Sequence, residues 1–317
     1  MSFPFFPASG SAMATQVDRL FLFLVALTIV VHLIVFGPMI FFLFKYRESK
    51  KVDRSPLKFS TLKVELVWII IPLILVMAVF AWGSHLYVNL QEPPKEAIEV
   101  NVVGKQWMWK IQHPEGNREI NELHVPVGSV VKLVMTSQDV IHSFFLPVFR
   151  IKQDVLPGRY TTEWFQATKV GSYHLFCAEY CGTMHSHMIG RVHVMEPKDY
   201  EDWLREGEPT EPLVQSGQKL FQELGCSGCH SMQSQFHAPL LEGIFGRPVP
   251  LEEGRMVMAD EKYIRDSILL PQLQIAAGYP NIMPSFEGRL SEEEIFQLVA
   301  YIKNLSPKKA KSGKGKP

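Results

Sequence analysis

Four cysteines in two close pairs are the residues of this chain best suited to carry chemistry. Cys177 and Cys181 form the first pair, and Cys226 and Cys229 form the second. A fold held together by disulfides would spread more cysteines through a shorter chain. We therefore interpret each pair as a site that binds a metal ion or a prosthetic group.

A cluster of metal-binding side chains surrounds the first pair. Residues 177–188, CAEYCGTMHSHM, contain two thiols, two imidazoles and two thioethers. Soft sulfur ligands with imidazole select copper or zinc, and structural zinc sites use thiolate and imidazole only, so a thioether indicates electron-transfer copper. A disulfide between Cys177 and Cys181 is the alternative, and the closeness of His185 and Met188 argues against it.

One further imidazole, that of His142, would complete a site for two metal ions. It follows an expected strand at Val130–Thr136 and precedes an apolar turn. A lone histidine is more often a hydrogen-bonded residue than a ligand, so its surroundings alone leave its role open. Five other histidines receive no role, namely His113, His124, His174, His187 and His193.

The second pair of cysteines lies in the motif C-x-x-C-H, which is the attachment signature for c-type haem. Cys226 and Cys229 can each add to a vinyl group of the haem, and the imidazole of His230 can ligate the iron. A thioredoxin-like redox pair is the alternative. It requires a βαβ surround, which the sequence pattern does not predict, and it does not require the histidine.

The second axial ligand of the haem iron must come from further along the chain. Met283, just before the last expected helix, is the candidate, and Met256 and Met258 are its rivals. His237 is a poor candidate, because its short separation from His230 leaves little chain to pass around the haem.

Two long apolar segments precede both sites and predict a membrane anchor. They cover residues 20–44 and about 64–90, and a spanning helix needs about 20 residues. The loop between them carries seven basic side chains against two acidic ones, which places the loop in the cytoplasm and both termini outside. A cleaved signal peptide is the alternative for the first segment, but this segment is too long and lacks a basic n-region.

The sequence pattern of the segment after the anchor predicts a β domain of sandwich or barrel type. Short stretches rich in Val, Ile and aromatic residues are separated by turn signals. The expected strands are Ile98–Val103, Trp107–Gln112, Val130–Thr136, Tyr160–Gln166, Ser172–Phe176 and Ile189–Met195.

The C-terminal part has a helical texture. Residues 196–210 are acidic and contain prolines, which predicts an exposed connector with a short helix at Asp199–Arg205. Helices are expected at Pro212–Leu224 and Ser291–Leu305, the latter with a capping box at its start. The lysine-rich end, residues 307–317, predicts a disordered tail.

The charge balance excludes one broad class of function. Lys and Arg together number 32, as do Asp and Glu, so the formal net charge is zero. A dedicated nucleic-acid-binding protein would show a strongly basic domain. We therefore expect no nucleic acid among the partners.

Taken together, residues 20 to 195 resemble subunit II of haem–copper oxidases. The resemblance is carried by Cys177-x-Glu179-x-Cys181-Gly-x-x-His185-x-x-Met188, His142-Ser-Phe, Asp154-x-x-Pro-Gly-Arg159 and Gly104-Lys-Gln-Trp107-Met-Trp109. It implies a cupredoxin barrel that holds the dinuclear copper centre CuA. The implied ligands are two bridging thiolates, two terminal imidazoles and two weak axial groups: Cys177, Cys181, His142, His185, Met188 and the carbonyl of Glu179.

The same resemblance implies roles for three further groups. Trp107 would be the place where electrons enter toward CuA, and a half-buried strand tryptophan is an interpretation that the sequence supports about equally. The carboxylate of Glu179 would contribute to a magnesium site shared with subunit I. Glu65 would take up protons at the cytoplasmic side, although an acid near a helix N-terminus is also favoured by the helix dipole alone.

The C-terminal part, about 211 to 306, resembles small class I cytochromes c. The match includes the C-x-x-C-H motif, a Pro239-x-Leu-x-Gly243 loop, a Met-Pro pair and a C-terminal helix. It implies Met283 as the second axial ligand, and the position of Pro239 indicates that this residue supports the imidazole of His230.

We therefore predict a multi-domain chain with a two-helix transmembrane hairpin, an all-β cupredoxin-like barrel and an all-α cytochrome c domain. The expected boundaries are 1–94 for the N-terminal segment and anchor, 95–197 for the CuA domain, 198–210 for the linker, 211–306 for the cytochrome c domain and 307–317 for the tail.

This order of parts implies subunit II of a cytochrome c-fused, proton-translocating oxidase in a bacterial inner membrane. Electrons would pass from cytochrome c or another donor to haem c, then to CuA, and then to subunit I, which reduces oxygen. Subunit III and membrane lipid are further expected partners. The alternatives are a nitric oxide reductase subunit, a quinol oxidase subunit, whose relatives lack the copper ligands, and a free-standing membrane-tethered electron carrier.

Overall fold

The computed structural model describes residues 8–53, 55, 61–206, 211–231 and 233–305. The described chain divides into two compact units, which are residues 1–94 with Val148–Arg150, and residues 95–147 with 151–317. The expected tail, 307–317, and part of the expected linker, 207–210, lie outside the described residues, as do Arg54 and Lys58 of the basic loop.

The first unit contains two long helices, α1 (Ala12–Lys45) and α2 (Leu62–Gln91). Both are long and apolar enough to cross a membrane, and the most apolar window of each is not buried inside the protein. Helix α1 begins earlier than the apolar segment because the side chain of Ser11 accepts a hydrogen bond from the amide of Ala14 and caps the first turn. This unit agrees with the predicted anchor.

Ten strands of the second unit form two five-stranded sheets. The strands are β1 (Ile98–Lys105), β2 (Met108–Gln112), β3 (Arg118–Ile120), β4 (Glu122–Pro126), β5 (Val130–Ser137), β6 (His142–Leu146), β7 (Ile151–Val155), β8 (Thr161–Gln166), β9 (Gly171–Cys177) and β10 (Ile189–Met195). The first sheet has the order β3-β2-β1-β5-β8 and the second has the order β4-β10-β9-β6-β7. Between the two sheets lies an apolar core, in which Trp109, Leu133 and Phe165 from the first sheet and Phe144 and Leu175 from the second are fully enclosed. The predicted cupredoxin-like barrel is thus present.

Four of these strands, β3, β4, β6 and β7, were not expected from the sequence. Strand β6 begins at His142, where we expected an apolar turn. Its burial does not alternate along the strand, because His142, Ser143 and Phe144 are all fully buried. Trp107 lies in the turn between β1 and β2 and not in a strand.

The described residues of the rest of the second unit include four α-helices and a small hairpin. They are α3 (Pro197–Glu206), α4 (Leu213–Glu223), α5 (Glu261–Leu269), α6 (Glu292–Asn304) and the hairpin β11 (Pro248–Pro250) with β12 (Met256–Met258). Helices α3, α4 and α6 were expected, and Ser291 and Glu294 form the predicted capping box of α6. Helix α5 was not expected.

Helices α4 and α6 cross closely. A Cβ atom at Gly217 of α4 would collide with the carbonyl oxygen of Gln297 in α6, so only glycine allows the two backbones to meet there. Behind this crossing the helices enclose an apolar core that includes Phe221, Ile264 and Leu298. The boundary between the barrel and the cytochrome domain stays a prediction.

Candidate metal and haem sites

The copper-ligand residues predicted from the sequence meet at one end of the barrel. His142 is the first residue of β6, Cys177 is the last residue of β9, and Cys181 lies in the loop that leads to β10. The Sγ atom of Cys177 lies 3.9 Å from Nδ1 of His142 and 3.8 Å from Sγ of Cys181. Strand pairing brings these residues together, since β6 and β9 are neighbours in the second sheet.

The remaining predicted ligands complete the cluster. The Sγ atom of Cys181 lies 3.5 Å from Nδ1 of His185 and 3.8 Å from Sδ of Met188. The thiol of Cys177 donates to the carbonyl oxygen of Glu179 at 3.3 Å. All six residues therefore present sulfur, imidazole nitrogen or carbonyl oxygen to one volume.

This donor set fits a dinuclear copper centre. Metal–thiolate bonds are about 2.3 Å long, so two sulfur atoms 3.8 Å apart can share a metal ion. His142 and Met188 are fully enclosed, and Cys181 and Cys177 are only 3% and 8% exposed. Backbone bonds hold the loop, including Cys177 N to Met188 O at 3.1 Å. The ligands are therefore held in place by the fold.

The thiols are prepared for metal binding by their surroundings. Burial opposes ionisation of Cys177, but hydrogen bonds with His142 and with the backbone outweigh it and lower the pKa of this thiol to about 6. Burial and the negative charge of Cys177 raise the pKa of Cys181. Burial likewise disfavours the charged form of His142, but contacts with Cys177 and Asp139 raise the pKa of its imidazole. The surroundings of the pair therefore favour a thiolate at Cys177.

Two residues that sequence reasoning missed support the cluster. Asp139 accepts hydrogen bonds from Nε2 of His142 at 2.8 Å and from the amide of Gln106 at 2.7 Å. The side-chain amide of Gln106 donates to the carbonyl oxygen of Cys181 at 2.8 Å. Gln106 lies inside the Gly104–Trp109 motif that carries the resemblance, so the sequence contained a signal for it. The only signal for Asp139 was an acidic side chain three positions before His142.

Three side chains with predicted roles are not among the ligand groups, namely those of Trp107, Glu179 and Glu65. The half-buried Trp107 donates its indole N–H to the carbonyl oxygen of Cys181 at 3.3 Å, so it touches the ligand loop. The side chain of Glu179 is exposed beside the cluster. Glu65 lies in the first turn of α2 and accepts a hydrogen bond from Thr61 at 2.6 Å. Their roles in electron transfer, magnesium binding and proton uptake stay predictions.

The haem motif lies beside an apolar cavity of the helical part. Cys226, Cys229 and His230 line this cavity together with Met283 and with side chains from α5 and α6. No Asp, Glu, Lys or Arg occurs among the described residues that line it. An apolar porphyrin fits such a lining, and the two thiols are free to form thioether bonds.

The two predicted axial ligands are both at the cavity. Nδ1 of His230 lies 2.8 Å from the carbonyl oxygen of Pro239, which leaves Nε2 for the iron and agrees with the support expected from that proline. Met283 lines the cavity, whereas its rivals Met256 and Met258 are 60% and 53% exposed on β12. The structure therefore favours Met283.

Comparisons with known proteins agree with this arrangement. Family models match residues 2–84 (cytochrome c oxidase subunit II, transmembrane domain), 117–195 (cytochrome c oxidase subunit II, periplasmic domain) and 214–306 (cytochrome c). The two apolar helices, the cupredoxin-like barrel and the cytochrome c domain define a membrane protein of electron transport.

The similar proteins share one name. Cytochrome c oxidase subunit 2 of Alkalihalophilus pseudofirmus is 29% identical over 307 residues, covering 91% of this chain and 86% of that protein. Cytochrome c oxidase subunit 2 of Thermostichus vulcanus is 30% identical over 267 residues, covering 66% and 81%. A crystal structure of the periplasmic domain of subunit II from Bradyrhizobium japonicum is 32% identical, covers 37% of this chain and 97% of that one, and has a TM-score of 0.36.

The chain belongs to the cytochrome c oxidase subunit II family and carries a fused C-terminal cytochrome c domain. It is thus a subunit of an oxidoreductase of the haem–copper oxidase type. Binding of copper at CuA, binding of haem c and association with subunit I follow from the family.

Proposed function

We propose that this chain is the electron-accepting subunit of a terminal respiratory oxidase. Electrons pass from an external donor, such as cytochrome c, to the cytochrome domain, then to the cupredoxin domain, and then to subunit I, where oxygen is reduced to water. The observation that carries the proposal is the convergence of two thiols, two imidazoles, a thioether and a carbonyl at one end of a barrel whose chain continues into a haem cavity.

Two copper ions would be held by the thiolates of Cys177 and Cys181, the imidazoles of His142 and His185, the thioether of Met188 and the carbonyl of Glu179. Two bridging thiolates let one electron spread over both metals, so bond lengths change little with oxidation state. The barrel adds rigidity, because buried strands hold His142 and Cys177. The cytochrome domain would attach its haem through Cys226 and Cys229.

His230 and Met283 would ligate the haem iron. Histidine–methionine ligation raises the potential of a haem, which suits a carrier on the oxidase side of the chain. The hydrogen bond from His230 to Pro239 fixes the orientation of the imidazole.

The remaining roles belong to the same proposal. Trp107 passes electrons toward the copper ligands, since its indole contacts the carbonyl of Cys181. Glu179 offers its exposed carboxylate to a magnesium ion at subunit I, and Glu65 takes up protons. The basic loop lies in the cytoplasm of a bacterial cell, both termini lie on the outer side of the inner membrane, and subunit III and lipid complete the complex.

Metal and haem quantitation of the purified complex tests this function. We expect two coppers at this subunit and one covalent haem per chain, together with oxygen consumption that exceeds nitric oxide consumption. Cys177→Ser should abolish the two-copper mixed-valence signal and leave the haem spectrum intact. Unchanged copper in this variant would refute the ligand assignment, and a preference for nitric oxide would refute the acceptor.

A further inference from the structure

We infer that helix α6 docks the cytochrome domain onto the outer face of the first barrel sheet, and that this docked arrangement is the one in which electrons pass between the two domains. The inference rests on the proposed function and adds to it the surface through which the cytochrome domain contacts the barrel. A covalent linker alone would only raise the effective concentration of one domain near the other. The contacts described below specify one orientation.

An aromatic side chain forms the centre of the docking surface. Phe296 of α6 is only 3% exposed, yet it packs against Val103, Val134 and Tyr160 and not into the core of its own helical domain. Its ring stacks on that of Tyr160, with centroids 5.0 Å apart and planes 14° apart. The neighbouring residues Ile295 and Leu298 belong to the helical core. Phe296 would therefore be solvent-exposed if the domain were free, and a buried aromatic anchor of this kind is typical of a specific interface.

Ion pairs lie at both ends of α6 and set its direction along the sheet. Near the start of the helix, Nζ of Lys110 in β2 lies 2.8 Å from Glu293. Near its end, Nζ of Lys303 lies 2.8 Å from Glu99 in β1. Reversing the helix would bring Lys303 toward Lys110 and Glu293 toward Glu99, so like charges would oppose the wrong orientation.

A buried arginine adds a third contact beside the aromatic centre. Arg265 of α5 is only 4% exposed. Its guanidinium donates to the carbonyl oxygen of Gly158 at 3.0 Å and to Glu292 at 2.8 Å, and it lies over the ring of Tyr160 at 5.5 Å. The guanidinium thus joins the two domains, since Gly158 and Tyr160 belong to the barrel and Glu292 belongs to α6.

The docked helix connects the two cofactor sites through short contacts. One side of α6 lines the haem cavity with Leu298 and Ile302. The other side places Phe296 on Val103, and the next residue, Gly104, lies directly against the ring of His142, where an added Cβ would come within 2.9 Å of Cδ2. Electron transfer falls steeply with distance, so a route of few contacts from helix to copper ligand favours this arrangement.

A charge exchange in the solubilised oxidase complex tests the docking. We would prepare Lys110→Glu, Glu293→Lys and the double exchange, and treat each with a carbodiimide, which joins an amine to a carboxylate in contact. The readout is the Lys303–Glu99 cross-link at the opposite end of the helix. We expect about a tenfold loss of this cross-link in each single variant and its recovery in the double variant. Lys219→Glu, at a side chain of α4 that is 64% exposed, is the matched control and should keep the cross-link.

The rate of haem-to-copper electron transfer after flash reduction is measured in the same samples. We expect the rate to fall with the cross-link in the single variants and in Phe296→Ala, and to recover in the double exchange. Wild-type cross-linking in the single variants would overturn the docking surface. A lost cross-link with an unchanged transfer rate would overturn its role in electron transfer. Absence of transfer in the wild-type complex would refute the proposed function, whereas the cross-link would still report the docking.

Discussion

Asp139 and His142 form a pair in which the carboxylate orients the imidazole toward the sulfur ligands. The Oδ1 atom of Asp139 lies 2.8 Å from Nε2 of His142, while Nδ1 of the same ring faces Sγ of Cys177 at 3.9 Å. Burial of Asp139 opposes its ionisation, but hydrogen bonds from Gln106, His142 and Val140 lower the pKa of the carboxyl. Asp139 therefore stays ionised and holds the proton on the nitrogen that does not face the metal site.

Replacing Asp139 by Asn should weaken copper binding without removing a ligand. The amide still accepts a hydrogen bond, but it lacks the charge that increases the basicity of the imidazole. We expect a loss of about 10- to 100-fold in copper affinity, measured by competition with a chelator. Asp202→Asn, whose side chain is 48% exposed on α3, should have no effect. Equal affinities of the two variants would contradict the orienting role.

A methyl group at position 104 should disturb the imidazole of His142, because it would press against the ring. In Gly104→Ala the Cβ atom would lie 2.9 Å from Cδ2 of His142 and 3.2 Å from Cζ3 of Trp109. Both rings are fully buried and cannot move freely, so we expect a loss of about 1–3 kcal/mol in stability together with a changed copper spectrum. Gly228→Ala, where an added Cβ meets nothing within 4 Å, is the control. A wild-type copper spectrum in Gly104→Ala would contradict this prediction, because it would show that the His142 ring moves aside without a change at the copper site.

The buried carboxylate of Glu119 should make the barrel sensitive to acid. Burial would raise its pKa, but hydrogen bonds with His113 and His124 and the charge of His113 outweigh burial and lower the pKa to about 2 from 4.5. The ionised Glu119 therefore contributes fully to the free energy of unfolding above about pH 4.5, and this contribution is lost as the pH falls toward 2. With the side chain only 7% exposed, the contribution at neutral pH is about 3 kcal/mol.

Glu119→Gln tests this dependence. The variant should be less stable at pH 7, and its denaturant midpoint, followed by near-ultraviolet circular dichroism, should change less between pH 5 and pH 3 than that of the wild type. Glu201→Gln, at a side chain that is 64% exposed, should follow the wild-type curve. A Glu119→Gln curve parallel to the wild type would show that other groups cause the acid sensitivity.

Replacing Met283 by Leu should change the haem potential and leave the haem covalently attached. The thioether lines the haem cavity, and axial ligands set haem potentials over a range of roughly 0.8 V. We expect a lower midpoint in a redox titration, because methionine is the ligand that raises the potential. Met256→Leu, at a residue that is 60% exposed, should leave the midpoint unchanged. If Met256→Leu lowered the midpoint and Met283→Leu left it unchanged, the axial role would belong to Met256.

Features that depend only on residues close together in the sequence were predictable. The ligand loop at 177–188 and the C-x-x-C-H motif bring their groups together over a few residues. The same is true of the capping box of α6, where Ser291 and Glu294 bond across one turn. Helix α5 and strand β6 escaped prediction, since their helical or buried state comes from the elements that cover them.

The sequence by itself determined the membrane anchor, the succession of a β domain and a helical domain, and the local copper and haem motifs, because each depends on composition or on spacing within a few turns of chain. Only the tertiary structure placed Asp139 behind His142, joined Glu119 to two histidines and buried Phe296 against the barrel. These relationships join residues through strand register and domain packing, in which small energies of many distant contacts add up, and no short pattern in the sequence records that sum.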